Sequence, residues 1–275
     1  LMTKEKLGLV LEGGGVKGAY QVGAMKALDE IGVSFDGIAG TSIGAINGAL
    51  YLDGGIDKML DVWKEIKTNT IYELTDEEIE AIKGLNVTPA ILKVLREKRL
   101  KTIKMLVASY QKSQSFFENL VNETDIRNSG KDFGLVTFDI SNMQPFEQML
   151  GGIKDGKLVD FIIASATFPI FPPKVIDGKK YIDGGVYDNM PVNLLARNGY
   201  EKILVIRTNP QSKQPKRKIE KEGLDVFYIT PQEDLGFAMA FSSGRVHTFM
   251  TSGYADAEYL LENGLRDFLF GNDKD

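Results

Sequence analysis

The chain has 275 residues, of which 43% are hydrophobic and 26% are charged, and this balance is typical of a globular protein with a sizeable core. Its net charge of −5 disfavours broad affinity for nucleic-acid backbones, so no nucleic-acid partner is expected. The absence of cysteine excludes disulfides, thiolate metal sites and cysteine nucleophiles. The apolar run near the start is too short for a signal peptide, and no window approaches the roughly 20 apolar residues of a membrane span. We therefore expect a cytoplasmic protein.

The first 52 residues alternate between short apolar runs and helical stretches. Strands are predicted at residues 7–11 and 35–39, and helices at residues 19–31 and 43–52. A crossover of this length makes the two strands parallel, and the connection between them is then right-handed. The glycine-rich loop after the first strand and Ser42 after the second should therefore lie at one edge of the sheet, where open α/β sheets bind ligands.

Residues 56–126 are predicted to be mostly helical and to form an insertion. Within them, residues 91–110 carry six basic side chains and one acidic side chain, with apolar residues at helical spacing. This stretch is either a helical cap with a solvated basic face or a docking surface for anionic lipid. The second interpretation allows peripheral contact with a membrane.

The second half of the chain again alternates strands and helices. The predicted strands are residues 133–140, 180–182, 203–208 and 226–229, and the predicted helices are residues 158–167 and 246–261. The prolines of FPIFPP, residues 168–173, exclude regular helix or central strand there. No internal repeat or linker is present, so residues 1–275 are predicted to form a single domain.

Residues 40–44, GTSIG, match the G-x-S-x-G pattern that presents a serine nucleophile on a sharp strand-to-helix turn. An apolar strand precedes Ser42 and a helix of small residues follows it, and Gly40 and Gly44 lack the Cβ atoms that would crowd the turn. The alternative is an ordinary turn in which Ser42 caps the helix. A nucleophile also needs a base, and the chain's single histidine, His247, lies in the predicted terminal helix.

The loop GGGVKG, residues 13–18, lies between a strand and a helix and also fits the dinucleotide fingerprint G-x-G-x-x-G. The acid that this fingerprint requires is poorly matched, since Asp36 precedes the apolar part of its strand. The other use of such a loop is to hold negative charge, such as the oxyanion of acyl transfer, with backbone N–H groups. Gly14 and Gly15 allow close approach of the backbone, and Lys17 either adds a positive charge or is a surface lysine.

The third motif is DGG, in which Asp183 follows a short apolar segment, although Asp-Gly is also a common turn signal. GGGVKG, GTSIG and DGG in this order resemble the patatin-like phospholipase family. The stretches FDGIAGTSIGA and ASATFPIFPPKVIDGKKYIDGGVYDNMPV resemble it as well. The resemblance covers nearly the whole chain and is weakest over residues 60–130. The family's last motif is often Asp-Gly-Ala, so Gly185 is a mild variation.

The resemblance implies a three-layer α/β/α sandwich with a mostly parallel central sheet, and a serine lipid acyl hydrolase acting on phospholipid or lysophospholipid esters. It implies that Ser42 is the nucleophile and Asp183 its base, a dyad without histidine. It also implies an oxyanion hole from the backbone of the loop at residues 13–18, with Gly14 and Gly15 as the main donors. His247 is then a surface or structural residue, although the order Ser–Asp–His also matches an α/β-hydrolase triad. No metal or organic cofactor is implied. The oxyanion loop, the elbow and the third motif comprise Gly13, Gly14, Gly15, Lys17 and Gly18, then Gly40 and Gly44, then Gly184 and Gly185.

Two other functions stay open at this point. One is an esterase or thioesterase on soluble acyl substrates, from which lipid-surface binding by residues 91–110 would distinguish the lipid hydrolase. The other is a non-catalytic protein that binds a nucleotide or phosphate on the glycine loop. The sequence carries no information on acyl chain length, ester position, head group or oligomeric state.

Overall fold

A computed structural model describes residues 5–66, 115–169, 171–211, 218–238 and 241–271. The basic segment at residues 91–110, and with it most of the predicted helical insertion, lies outside those ranges. Residues 115–120 are helical. No helix in the described ranges combines the length and the apolar character needed to cross a membrane.

Eight strands form one sheet in the described part of the chain. They are β1 (Leu7–Leu11), β2 (Gly37–Thr41), β3 (Asp132–Asp139), β4 (Gln144–Met149), β5 (Lys174–Ile176), β6 (Lys179–Asp183), β7 (Lys202–Ile206) and β8 (Asp225–Ile229). The pairing order is β5-β6-β3-β2-β1-β7-β8, and β4 also pairs with β3. The pairs among β8, β7, β1, β2 and β3 are parallel, whereas β4, β5 and β6 pair antiparallel.

Helices cover both faces of this sheet. They are α1 (Gly18–Glu30), α2 (Ile43–Glu65), α3 (Glu123–Asn128), α4 (Leu158–Ser165), α5 (Val192–Arg197), α6 (Ser243–Leu260) and α7 (Arg266–Phe270). On β1, Leu9 and Leu11 join the core cluster that contains α1, α2, α4 and α6, while Val10 joins the cluster that contains α5. Because successive strand residues face opposite sides of a sheet, these two clusters are the two helix–sheet interfaces. The predicted three-layer α/β/α architecture is confirmed.

Several predicted boundaries change. β2 begins at Gly37 instead of residue 35. Asp36, directly before it, hydrogen-bonds to the first residue of β1: its N–H donates to Leu7 O, and its carboxylate accepts Leu7 N–H, each at 2.8 Å. α2 continues to Glu65 instead of ending near residue 52, with a break in helical geometry at Gly54 and Gly55. β4 and β5 were not predicted.

The ends of β2 and β6 meet on the same side of β3. β4 occupies one side of β3 from Gly134 to Asp139, so β2 and β6 share the other side. There, Thr41 of β2 pairs with Val136, and Asp183 of β6 pairs with the next residue, Thr137. Since β2 runs parallel to β3 and β6 runs antiparallel, the two strands approach each other with their carboxyl ends. Ser42 and Asp183 therefore come together.

Candidate active site

Ser42 lies on a strained turn between β2 and α2. Its φ of 56° and ψ of −126° place a non-glycine residue in the left-handed half of the map, at a cost on the order of 1–3 kcal/mol. Glycines make the turn possible: a Cβ on Gly40 would overlap the backbone of Gly44, and a Cβ on Gly44 would overlap the carbonyl of Leu11. The turn therefore has the crowding and the strain of a nucleophile elbow, and Ser42 stays partly accessible.

Asp183 is the last residue of β6 and is only 6% exposed. Burial raises the pKa of its carboxyl to about 6, while hydrogen bonds from the Ser42 hydroxyl and from the Gly185 N–H hold the pKa below what burial alone would give. The Gly185 N–H bond measures 2.7 Å. The structure thus brings together two of the predicted site residues, a hydroxyl and a carboxylate of raised basicity whose pKa responds to that hydroxyl.

The loop after Asp183 is bonded to the glycine loop. Asn189 donates its side-chain N–H to Gly13 O at 3.0 Å, and Gly13 returns its own N–H to Asn189 O at 3.1 Å. A Cβ on Gly13 would overlap the Asn189 amide oxygen, and a Cβ on Gly185 would lie within 2.8 Å of it. Asn189 therefore links the segment that follows DGG to the glycine loop GGGVKG, which lies about 170 residues earlier in the chain.

The glycine loop holds two amide N–H groups that have no acceptor among the described residues, those of Gly14 and Gly15. Both residues are partly exposed, and Gly15 has a φ of 57°. The other backbone donors of the five predicted loop residues are occupied. The N–H of Gly13 donates to Asn189 O, that of Lys17 donates to Gly14 O, and that of Gly18 donates to the carbonyls of Gly15 and Val16. The resemblance implies Gly14 and Gly15 as the main oxyanion donors, and theirs are the predicted loop N–H groups left without an acceptor among the described residues.

Lys17 is a buried residue, 9% exposed, so its interpretation as a surface lysine is wrong. Burial lowers the pKa of its ammonium, and the carboxylates of Asp234 and Glu12 oppose that shift. The Lys17 amine is therefore buried at the glycine loop, within electrostatic reach of the carboxylates of Asp234 and Glu12.

Glu12 and Thr208 brace the glycine loop from below, and the sequence analysis missed both. Glu12, 2% exposed, accepts the Thr208 N–H at 2.7 Å with its carboxylate. The Thr208 hydroxyl donates to Gly13 O at 2.7 Å. The available signal was an acidic residue placed directly after the apolar strand β1, where a buried carboxylate requires donors.

Two alternatives to the dyad find no support in the geometry. Asp36 lies at the amino end of the sheet, so it is far from the position that a ribose-binding acid needs at a strand's carboxyl end. His247 is exposed on α6, and its imidazole makes no hydrogen bond with any described residue; its carbonyl accepts the Thr251 hydroxyl. Within the described ranges, no group of three or more histidine, aspartate or glutamate side chains could hold a metal ion.

An elbow serine, a buried carboxylate and free loop amides on a three-layer α/β/α sheet define a hydrolase-like site. The family model of the patatin-like phospholipases matches residues 9–196, and the chain belongs to that family. The resemblance drawn from the three motifs is confirmed.

The chain is also similar to individual known proteins, two of them in sequence and one in fold. The chain is 26% identical over 223 residues to the mouse (Mus musculus) patatin-like phospholipase domain-containing protein 6, which covers 77% of this chain and 14% of that protein. It is 29% identical over 215 residues to the lysophospholipase NTE1 of Lodderomyces elongisporus, covering 75% of this chain and 13% of that protein. The chain therefore spans about one seventh of these relatives. The crystal structure of VipD from Legionella pneumophila shares the fold, with a TM-score of 0.55, 15% identity and coverage of 95% of this chain and 67% of that one.

Proposed function

We propose that the protein is a serine lipid acyl hydrolase that cleaves fatty-acyl esters of phospholipids or lysophospholipids through a Ser42–Asp183 dyad. The observation that carries this proposal is that β2 and β6 bring the elbow serine to a buried carboxylate, whose raised pKa responds to the Ser42 hydroxyl. Family membership and relatives named as phospholipases and a lysophospholipase support the substrate class. We further propose that residues 1–275 act as one catalytic domain with a helical insertion around residues 56–126.

In the first half of the proposed reaction, the Ser42 hydroxyl attacks the ester carbonyl while its proton passes to Asp183. The carbonyl oxygen becomes an oxyanion, to which Gly14 and Gly15 donate their N–H groups. The intermediate collapses by breaking the bond to the alcohol oxygen, which takes the proton from Asp183 and leaves as the deacylated product. The fatty acyl group stays on Ser42 as an ester.

The second half repeats these roles with water. Asp183 accepts a proton from the water that attacks the acyl-enzyme, the same amides hold the second oxyanion, and Ser42 leaves as an alcohol by regaining the proton. The carboxylate is suited to both steps because its raised pKa of about 6 brings its basicity closer to neutrality. Ser42 also needs no reorientation, since the strained elbow already directs it at Asp183.

Covalent labelling tests the proposal most directly. A fluorophosphonate probe should label wild type at Ser42, and Ser42→Ala should abolish both this label and ester hydrolysis. His247→Ala is the matched control and should keep at least a tenth of the wild-type labelling rate, because its side chain lies on the surface of α6. Absence of a label on Ser42, combined with binding of a nucleotide, would instead favour the non-catalytic alternative.

A soluble acyl ester is the rival substrate, and vesicles distinguish it from lipid. The proposal expects hydrolysis of phospholipid or lysophospholipid dispersed with anionic vesicles to exceed that of short soluble esters. If residues 91–110 dock on the vesicle surface, added salt should weaken vesicle binding and leave soluble-ester hydrolysis unchanged. Equal rates on both substrates, without vesicle binding, would favour the soluble esterase.

A further inference from the structure

A three-residue segment at the end of α4 contacts both members of the proposed dyad. The side-chain oxygen of Ser165 accepts the backbone N–H of Ser42 at 2.9 Å. Two residues later, the backbone carbonyl of Thr167 accepts the N–H of Asp183 at 2.7 Å. One short piece of backbone therefore holds the main chain of the nucleophile and that of its base.

The Ser165 hydroxyl both accepts and donates a hydrogen bond in this arrangement. Its side chain is buried, and it donates a hydrogen bond of 2.6 Å to the carbonyl of Val136. A hydroxyl has one hydrogen to donate, and since a carbonyl can only accept and an amide N–H can only donate, the direction of both bonds is determined. Removal of this hydroxyl would leave the N–H of Ser42 and the carbonyl of Val136 without the hydrogen-bond partner that they share.

Val136 is the point on β3 at which the two halves of the site meet. It pairs with Thr41, the residue before Ser42, and a Cβ on Gly184 would overlap its carbonyl. The hydroxyl of Ser165 thus connects the N–H of the strained residue Ser42 to Val136, the position on β3 where β2 ends and the pairing with β6 begins. This bond opposes relaxation of the Ser42 backbone, whose φ of 56° is costly for a side chain with a Cβ.

We propose that Ser165 is a positioning residue for hydrolysis, which holds the Ser42 backbone in its strained conformation and so sets the distance between Ser42 and Asp183. This inference rests on the proposed function. Ser165 touches no reacting atom in this role. It acts through the Ser42 N–H, so its loss should slow attack by Ser42 and leave substrate affinity unchanged.

The pH profile supplies a readout that a purely structural hydroxyl would not move. The groups that act on the pKa of Asp183 are its burial, the Ser42 hydroxyl and the Gly185 N–H, and none of these described contributions comes from a charged side chain. The Ser42 hydrogen bond lowers this pKa. If Ser42 moves away in a Ser165 variant, the pKa of Asp183 rises, and the acid limb of the rate profile moves to higher pH.

The experiment compares Ser165→Ala, Ser165→Thr and Ser165→Val with wild type, using a fluorophosphonate and the soluble ester p-nitrophenyl butyrate. Ser165→Thr keeps the hydroxyl and Ser165→Val does not, and both add carbon to the same site. Tyr200→Phe is the stability control, since it removes a buried hydroxyl bonded to Asp132 at the opposite edge of the sheet. All rates are measured well below the lowest melting temperature of the set.

The alanine and valine variants should lose roughly 10- to 100-fold in labelling rate and in kcat, since a misplacement of about 1 Å can cost 10²-fold. Their KM should stay within about twofold of wild type, as expected when an interaction acts only on the chemical step. Their acid limb should shift upward. Ser165→Thr should recover most of the rate, and Tyr200→Phe should melt earlier with kcat unchanged.

Three outcomes overturn the proposal. The first is a wild-type labelling rate in Ser165→Ala, and the second is an equal loss of rate in the threonine and valine variants. The third is folding only in variants that keep the hydroxyl, which would make Ser165 purely structural. A wild-type protein that the probe does not label at all refutes the proposed function itself. A labelled wild type with an unimpaired alanine variant refutes only the role of Ser165.

Discussion

The two halves of the sheet are built differently, and the candidate site lies where they join. β1, β2 and β7 are parallel strands buried almost throughout, under helices on both faces. β4, β5 and β6 are antiparallel strands with exposed or partly exposed residues along most of their length. The first half supplies Ser42 and the glycine loop. The second supplies Asp183.

The difference explains how a carboxylate reaches a serine elbow. In the parallel half, strand ends lie side by side, about 5 Å apart, and each is followed by a loop and a helix. In the antiparallel half, β6 enters from the opposite direction and continues the line of β2 along β3. β6 therefore meets β2 end to end and brings Asp183 to Ser42. Asp183 is buried there, at a position where a parallel sheet would have an open crevice.

Asp183→Asn is expected to have the largest effect on this junction. It removes the proposed base, and hydrolysis should fall by roughly 10³-fold or more, as when a proton acceptor is removed from a catalytic group that acts as a unit. Ester hydrolysis and fluorophosphonate labelling measure this loss. Activity within tenfold of wild type would show that the antiparallel half contributes no base.

The same substitution should stabilise the fold at neutral pH. The pKa of Asp183 rises from an ordinary value of 3.8 to about 6, so the folded state binds a proton that the unfolded state has released between these values. Stability therefore falls as pH rises through this window, by about 3 kcal/mol in the limit. Asparagine carries no charge, so the variant should melt at a higher temperature than wild type at pH 8. Its advantage should shrink near pH 4, where Asp183 in wild type is protonated.

Gly44→Ala should have the next largest effect, and it tests the close packing of the parallel half. The new Cβ would overlap the backbone carbonyl of Leu11, which cannot rotate away. We expect a loss of about 3 kcal/mol in the free energy of unfolding, at the upper end of typical overpacking costs. Gly151→Ala is the control in the antiparallel half, because a Cβ there meets no described atom within 4 Å. Thermal melting should separate the two variants, and equal melting temperatures would contradict the contrast in packing.

This contrast also explains what the sequence could predict. β1 and β7, LGLVL and KILVI, are short apolar runs, and such runs identify strands that are buried on both faces. β4, QPFEQM, lies at an edge, contains proline and glutamate, and has no apolar alternation, so its pairing with β3 depends on tertiary contacts alone. β5 has only three residues.

The site residues also differ in whether the sequence alone predicts them. Ser42 and the glycine loop were predicted from local patterns, because an elbow and a helix N-terminus each require glycine at fixed positions. The contact between Ser42 and Asp183 was accessible only through resemblance, because it depends on the direction and register of β6 against β3. Ser165 and Thr208 could not be predicted, since a buried hydroxyl acquires its role from partners that are distant in the chain.

The pH dependence of kcat/KM is expected to show a smaller effect. With a pKa of about 6 for Asp183, activity should be constant above pH 7 and should fall as the carboxylate becomes protonated. The loss at pH 5 is roughly tenfold, because each pH unit below the pKa removes about nine tenths of the remaining base. A steady-state profile on a soluble ester measures it. A midpoint near 4 would indicate that the junction leaves Asp183 solvated, contrary to its burial.

His247→Ala should have the smallest effect, and it tests whether the two halves of the sheet are sufficient for catalysis. The imidazole is exposed on α6, and its loss should change the free energy of unfolding by less than about 0.5 kcal/mol, as for other surface substitutions. Ester hydrolysis should keep at least a tenth of the wild-type rate, since Asp183 already accepts the Ser42 hydrogen bond that a triad histidine would need. A loss comparable to that of Ser42→Ala, with an unchanged melting temperature, would mean that α6 moves its histidine to the serine during turnover. The junction of β2 and β6 would then be an incomplete site.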